Sequence, residues 1–342
     1  MTIRDALRLQ GTTCAGLGSP FMGQMLTTLA DKWPDNSPLG QICAKWTGDI
    51  GPSGVSLPLR IAAGLHALAL TDRAPRLRDV YPPHSASDTT LIKEVLTALI
   101  QHQDFMRDWI KSPPQTNEVR RSAALIAAAH WIAARHDLPF ITSELGASGG
   151  LNLMWDRFAL DTGQHILGPA NPALTLSPDW TGPTPAPTQI HVTERRGVDL
   201  NPVNADAPDD ALRLFAYLWP DQPHRLDLTR KAIAVLDAKV DKGDAIDWLA
   251  PRLSTAKPGH IHLIYHTIAW QYFPAPVQSR GAALIKAAGQ RATADAPLAW
   301  LRMEADGNTP GASLTLRLWP GDLRITLGRI DFHGRWVHWT AQ

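Results

Sequence analysis

The sequence predicts an α/β fold in the residues 138–342, preceded by an all-helical N-terminal domain over 1–137. Three observations carry this. Apolar residues up to 137 recur only at helical spacing. From residue 138, short apolar runs alternate with helical segments, which is the pattern of βαβ units and a parallel sheet. The tail then alternates strictly around two turns, which reads as an antiparallel meander closing that sheet.

In order, Phe21–Ala30, Leu57–Leu70, Asp88–Ile110 and Glu118–His136 carry helical apolar spacing. Pro34 follows the first, and Ala74–Ser87, with Pro75, Pro82 and Pro83, separates the second from the third. Leu138-Pro139 disfavours continuation of the fourth. The first strand is Phe140–Glu144, followed by a glycine-rich turn and a helix expected to reach about Leu160. Six prolines between Gly168 and Thr188 exclude helix and most central strand, so a Pro-rich insertion near 161–193 reads as surface loop. A strand resumes near Gln189–Thr193, and helices are expected at about 209–219 and 225–240. Ile246–Leu253 is a short helix, and His260–Thr267 is the clearest strand. Then come a helix, Pro276–Ala292, and a strand, Pro297–Glu304. Leu314, Leu316 and Leu318 share one face before Pro320-Gly321-Asp322, and Leu323–Ile330 and Arg335–Trp339 complete the meander.

Composition narrows the function classes. The chain has 342 residues, with 44% hydrophobic and 19% charged, which places it among globular proteins. Its net charge is +1, from 33 Lys and Arg against 32 Asp and Glu, with the charges interspersed. No basic tract offers a nucleic-acid footprint, so a small-molecule substrate is the expected partner. Cys14 and Cys43 stand without spacing partners, which excludes a disulfide framework or a cysteine zinc site and fits a reducing cytosol. The N-terminus lacks the apolar core of a signal peptide, and Ala123–Ala134 is interrupted by His130 and too short to span a bilayer. A cytoplasmic protein without membrane attachment is expected.

The centre of the chain is Pro139–Asn152, a strand, a glycine turn and the start of a helix. Glycine tolerates positive φ and close approach, and such a turn aims backbone N–H groups at a crevice. Glu144-x-Gly146-x-Ser148-x-Gly150 resembles the first motif of S-adenosylmethionine-dependent methyltransferases, with Ser148 at the middle glycine. The same residues fit the G-x-S-x-G nucleophile elbow of a serine hydrolase, with Asp244 and His266, or Asp306 and His333, as triad partners. Everything before the turn is helical, whereas an elbow follows several strands, so the hydrolase is the weaker reading. The G-x-G-x-x-G fingerprint of nicotinamide enzymes is not met. A tight turn in a binding protein without a cofactor is the third reading.

The resemblance to the methyltransferase pattern implies a Rossmann-like sheet and particular site residues. Glu144, Gly146, Ser148 and Gly150, with Asn152 beyond them, would cradle the cofactor. Asp199 would hydrogen-bond the ribose, and Asp244 with Ala245 would lie near the adenine. For Asp199 a helix N-cap or a pairing with Arg195 or Arg196 competes, and for Asp244 an ordinary N-cap. His266, Tyr272 and Glu304 follow or end later strands and are candidates for substrate contact or general-base work, against a hydrogen-bonded core. His260, His262 and His266 alternate on one strand without a supporting carboxylate or cysteine, so no metal is expected. The absence of an Asn/Asp-Pro-Pro-aromatic block counts against methylation of nucleic-acid bases.

A closer resemblance rests on several blocks in order. Glu144–Phe158, Arg196–Pro202, Leu218–Gln222, Gly243–Ala245 and Tyr265–Tyr272 together look like an uncharacterised bacterial family, domain of unknown function 2332. That resemblance covers nearly the whole chain and implies a methyltransferase-like sheet behind a helical region, without supplying a substrate.

Overall fold

The computed structural model describes residues 1–52 and 54–342. The chain forms two compact units, one of residues 1–116 with 204–227, the other of 117–203 with 228–342. The segment 117–137, read above with the N-terminal helices, thus lies in the second unit, and 204–227 lies in the first.

The first unit contains α1 (Ile3–Gly16), α2 (Pro20–Asp31), α3 (Pro38–Ala44), α4 (Leu57–Leu70), α5 (Pro75–Arg78), α6 (Asp88–Gln101) and α7 (Gln103–Trp109). Their starts are written in the sequence. Thr2 and Asp5 form a reciprocal capping box on α1. Ser19, Ser37 and Ser87 cap α2, α3 and α6, with Pro20 and Pro38 at the first helical position. The segment expected as one helix from Asp88 breaks at His102, whose backbone (φ −113°, ψ 30°) leaves the helical region. Leu7, Leu26, Leu57, Ile61 and Leu68 are fully buried in the core of this unit.

In the second unit, α8 (Ser122–Ala133) precedes β1 (Phe140–Leu145). After the glycine turn the expected helix to about Leu160 is not formed. A 3-10 segment spans Leu151–Arg157, and β2 (Ala159–Asp161) begins at once. The Asn117 side chain accepts the Leu151 N–H, so the segment's start is fastened from outside rather than by α-helical pairing. The Pro-rich insertion is not only loop: β3 (Ile166–Leu167) and β4 (Thr175–Leu176) flank β2 in a small sheet. β5 (Asp179–Thr181) joins the edge of the main sheet. Buried Leu167, Leu174 and Leu176 give this insertion a core, because its prolines sit between the paired residues.

β6 (Val192–Asp199) is longer than the strand expected near Gln189–Thr193. The next helices are α9 (Pro208–Ala216), in the first unit, and α10 (Pro223–Ala234). The second was expected to reach 240. It stops at Ala234, and Lys239–Lys242 is instead β7, paired in parallel with β6. Then follow α11 (Ala245–Arg252), β8 (Ile261–Thr267), α12 (Ala275–Gly289), β9 (Leu298–Glu304), β10 (Ala312–Trp319), β11 (Leu323–Ile330) and β12 (Trp336–Trp339). The main sheet runs β5-β12-β11-β10-β9-β8-β1-β6-β7. β7, β6, β1, β8 and β9 are mutually parallel, and β10, β11 and β12 form the expected antiparallel meander. β1 and β8 are buried along their whole length, as central parallel strands require.

Candidate functional site at the C-terminal edge of the parallel strands

Because five strands run the same way, their C-terminal ends share one edge. Chain order reverses between β1 and β8, the position at which ligands enter open α/β sheets. Glu144 near the end of β1, Asp199 at the end of β6, Asp244 after β7, His266 near the end of β8 and Glu304 at the end of β9 all lie at this edge.

The glycine turn is bonded to the neighbouring strand. Gly146 and Ala147 N–H both donate to the Val198 carbonyl, at 2.9 and 3.0 Å. Ser148 N–H donates to Asp199 Oδ2 at 2.9 Å, and Asp199 Oδ1 accepts the Asn201 N–H at 2.9 Å. Asp199 therefore fastens the turn, rather than pairing with Arg195 or Arg196, which bind Asp156 and Asp241. Gly146 has φ +74°, and a Cβ there would stand 2.6 Å from the Ala269 Cβ, so conformation and packing both demand glycine. Ser148, at φ +51°, holds the same left-handed region without being glycine. Gly150, at φ +75°, faces Val240 at 2.8 Å in the same sense. Asn152 is buried: Ser122 Oγ donates to its Oδ1 at 2.7 Å, and its amide donates to the Glu118 carbonyl.

Glu144 is buried beneath this turn, with Tyr265 Oη donating toward it at 3.4 Å. Burial, reinforced by the nearby Asp199 charge, pushes its carboxyl well above the usual range.

Behind the loop that follows β8 lies a fully bonded cluster. His266 Nδ1 is 2.6 Å from Glu304 Oε1, and the Trp300 indole N–H donates to His266 Nε2 at 3.1 Å. An indole nitrogen only donates, so Nε2 is the acceptor and the proton sits on Nδ1. Burial pushes His266 down and outweighs the Glu304 bond, keeping the ring neutral. Trp270 stacks on it, with centroids 4.8 Å apart. Glu304 Oε1 also accepts from Ala269 and Trp270 N–H, at 3.0 and 3.1 Å. Burial alone would raise the Glu304 carboxyl. The His266 bond and these backbone donors bring it below its ordinary value, so it stays ionised. This carboxylate caps the 3-10 turn Trp270–Tyr272 and holds Ala269 against Gly146.

The remaining expected residues have local duties. Asp244 caps α11, accepting from Ile246 and Asp247 N–H, and pairs with Arg280 at 3.1 Å. Ala245 is the first residue of that helix and is buried. Tyr272 is 64% exposed and so takes no part in the buried cluster. Among the described residues no group of three or more His, Cys, Asp or Glu could hold a metal ion. No helix among them is long and apolar enough to cross a membrane.

The model of the family described as an uncharacterized protein conserved in bacteria (DUF2332) matches residues 4–339. The chain belongs to that family. A comparison with curated proteins found no match. In this family member, several residues of the edge carry no motif signal. Arg121, buried, donates to the Thr267 carbonyl at 3.0 Å and to the Phe332 carbonyl, tying the end of β8 in place. Ser122 and Asn117 were missed for the same reason: their partners lie 30 or more residues away and only folding joins them.

Proposed function

We propose that the protein is an S-adenosylmethionine-dependent methyltransferase acting on a small-molecule substrate. One observation carries this reading. The parallel strands stand in chain order third, second, first, fourth, fifth, with the glycine turn leaving the first and Asp199 ending the second, beside the reversal point. Asp199 is only half-buried, and each of its oxygens accepts one backbone N–H. An ionised carboxylate has about four acceptor sites, so two remain for ribose hydroxyls and the donor set fits the cofactor.

When bound, S-adenosylmethionine supplies an activated methyl group for in-line displacement. The chain's own contribution is positioning. Asp199 holds the ribose end while fixing Ser148. Glu304 and His266 set the loop Ile268–Tyr272 against the glycine turn and hold both in place. His266 is a positioning residue and not a general base, because its one lone pair is committed to Trp300. The substrate must therefore arrive with an available lone pair or release its proton to solvent.

Titration calorimetry with S-adenosylhomocysteine tests the reading. Saturable binding is expected, weakened about tenfold or more in Asp199→Asn. No heat of binding from the intact protein would refute it.

The Ser148 backbone supports a second reading. Its left-handed conformation inside Gly146-x-Ser148-x-Gly150 is the strain expected at a nucleophile elbow. Against it, the turn follows the first strand of the main sheet in the chain, whereas an elbow comes after several. Labelling by a fluorophosphonate, lost in Ser148→Ala, would replace the first reading with this one.

A further inference from the structure

A cavity of about 560 Å³ lies within the first unit, between the start of α2, residues 80–86 and the start of α6. Phe21, Val80, Pro82 and Leu91 give it apolar walls. The half-buried Phe21 ring packs edge-on against Tyr81, with centroids 4.8 Å apart. Gln24 follows Phe21 by three residues on α2, so the two share one face of that helix.

The polar groups on this lining are rich in acceptors. Asp221 is half-buried, and each of its oxygens takes one bond: Oδ1 from the Ser19 hydroxyl at 2.6 Å, Oδ2 from the Phe21 N–H at 3.0 Å. Both donors are neutral. A carboxylate has about four acceptor sites, so its charge and part of its acceptor capacity are left over. Arg225, the next cation along the chain, donates to Gln222 Oε1 at 2.9 Å, and no Lys or Arg among the described residues lines the cavity. Gln24 Nε2 donates to the Asp88 carboxylate at 2.6 Å, which fixes the amide and leaves its Oε1 without a donor among the described residues. That oxygen is not sealed from solvent. His84, also on the lining, is exposed. Asp221 belongs to the Leu218–Gln222 block, to which the methyltransferase reading gives no role.

We propose that this cavity binds a small organic cation, a primary ammonium group on a compact aromatic or aliphatic body. The ammonium N–H groups bond Asp221 and Gln24 Oε1, and the body lies against Phe21 and Leu91. Such charge-assisted bonds are about twice as strong as neutral ones, which favours the ammonium over an alcohol of the same shape. The Phe21 ring adds attraction for the positive charge. An anion is disfavoured, because it would meet the Asp221 carboxylate with no Lys or Arg on the lining to offset it.

Benzylammonium is the probe, with benzyl alcohol as its neutral control and benzoate as its anionic one, measured on the full chain by ligand-observed saturation-transfer NMR. Saturable benzylammonium binding is expected, with both controls at least tenfold weaker. Asp221→Asn removes the charge and can keep both bonds, its oxygen to the Phe21 N–H and its amide to Ser19 Oγ. It is expected to weaken benzylammonium at least tenfold. Ser85→Trp fills the cavity mouth from an exposed position, and Ala86→Trp fills it from a half-buried one. Each is expected to abolish binding. Absence of benzylammonium binding, or binding unchanged in both tryptophan variants, would overturn the site. Equal binding of benzyl alcohol, or unchanged affinity in Asp221→Asn, would overturn the cationic class. Neither result bears on S-adenosylhomocysteine, whose proposed contacts lie on other residues.

Discussion

Two buried histidines of the second unit differ in how completely their hydrogen bonds are made, and the difference separates a fastened cluster from a looser one. His266 is bonded at both nitrogens, to Glu304 and Trp300, and stacks on Trp270. His130 is bonded at one nitrogen only, and its other N–H is buried without an acceptor among the described residues. Both rings are buried and both are pushed toward neutrality, so burial and titration alone would class them together. The partner count distinguishes them: the first ring is satisfied at both nitrogens, and the second carries a buried donor with its bond unmade.

The largest expected effect breaks the complete cluster. Glu304→Ala leaves His266 Nδ1–H and the Ala269 and Trp270 N–H groups buried without their acceptor, and is expected to cost about 3–5 kcal/mol in denaturant unfolding. Gly146→Ala imposes a left-handed alanine and drives its Cβ into Ala269, for about 2–4 kcal/mol in the same measurement. A direct contrast comes from placing phenylalanine at each histidine. His266→Phe orphans the Trp300 N–H and removes a donor from Glu304, costing about 2–4 kcal/mol. His130→Phe orphans the Thr188 N–H but also deletes an unsatisfied donor, so its cost is expected to be about half as large. If the two variants unfold alike, completeness is not the distinguishing property. The smallest effect is expected at the edge: Asp244→Ala removes a cap from α11 for about 1 kcal/mol.

Acid sharpens the comparison further. His66, His130, His262 and His266 all have folded values below that of the free ring. The unfolded chain then binds more protons below about pH 6.5, so stability falls as pH drops from there toward about 4. Glu144 works in the opposite direction. Its raised folded value makes its contribution complete below the ordinary carboxylate range and lost as pH rises through that folded value. Glu144→Gln, which cannot ionise, is expected to lose less stability than the natural chain as pH rises above the ordinary carboxylate range, as followed by thermal unfolding.

The sequence made the order of elements readable because periodicity is local. β8 and the meander appear where the apolar pattern puts them, and the acids Asp199 and Asp244 fall at strand ends. The turn's glycines were visible as a need for left-handed backbone, which Gly146 and Gly150 confirm. What escaped was set by distant partners. The run after Gly150 has helical spacing, yet an Asn117 side chain at its start and the β2 pairing at its end leave only a 3-10 segment. Lys239–Lys242 carries one apolar residue, Val240, and becomes a strand through pairing with β6. His130 reads as one polar residue in an alanine-rich helix. Its partner, Thr188, is 58 positions away in a proline-rich stretch, so neither its tautomer nor its open donor has a sequence signature.

The most direct measurement is long-range proton–nitrogen NMR of the histidine rings across pH 5–8. His266 is expected to be the neutral Nδ1–H form at pH 7 and to titrate below the ordinary histidine value. His130 is expected to be the Nε2–H form, because its Nδ1 accepts the Thr188 N–H. A His266 ring that protonates at or above pH 6.5, or either ring in the opposite tautomer, would contradict the hydrogen-bond pattern that sets the two apart.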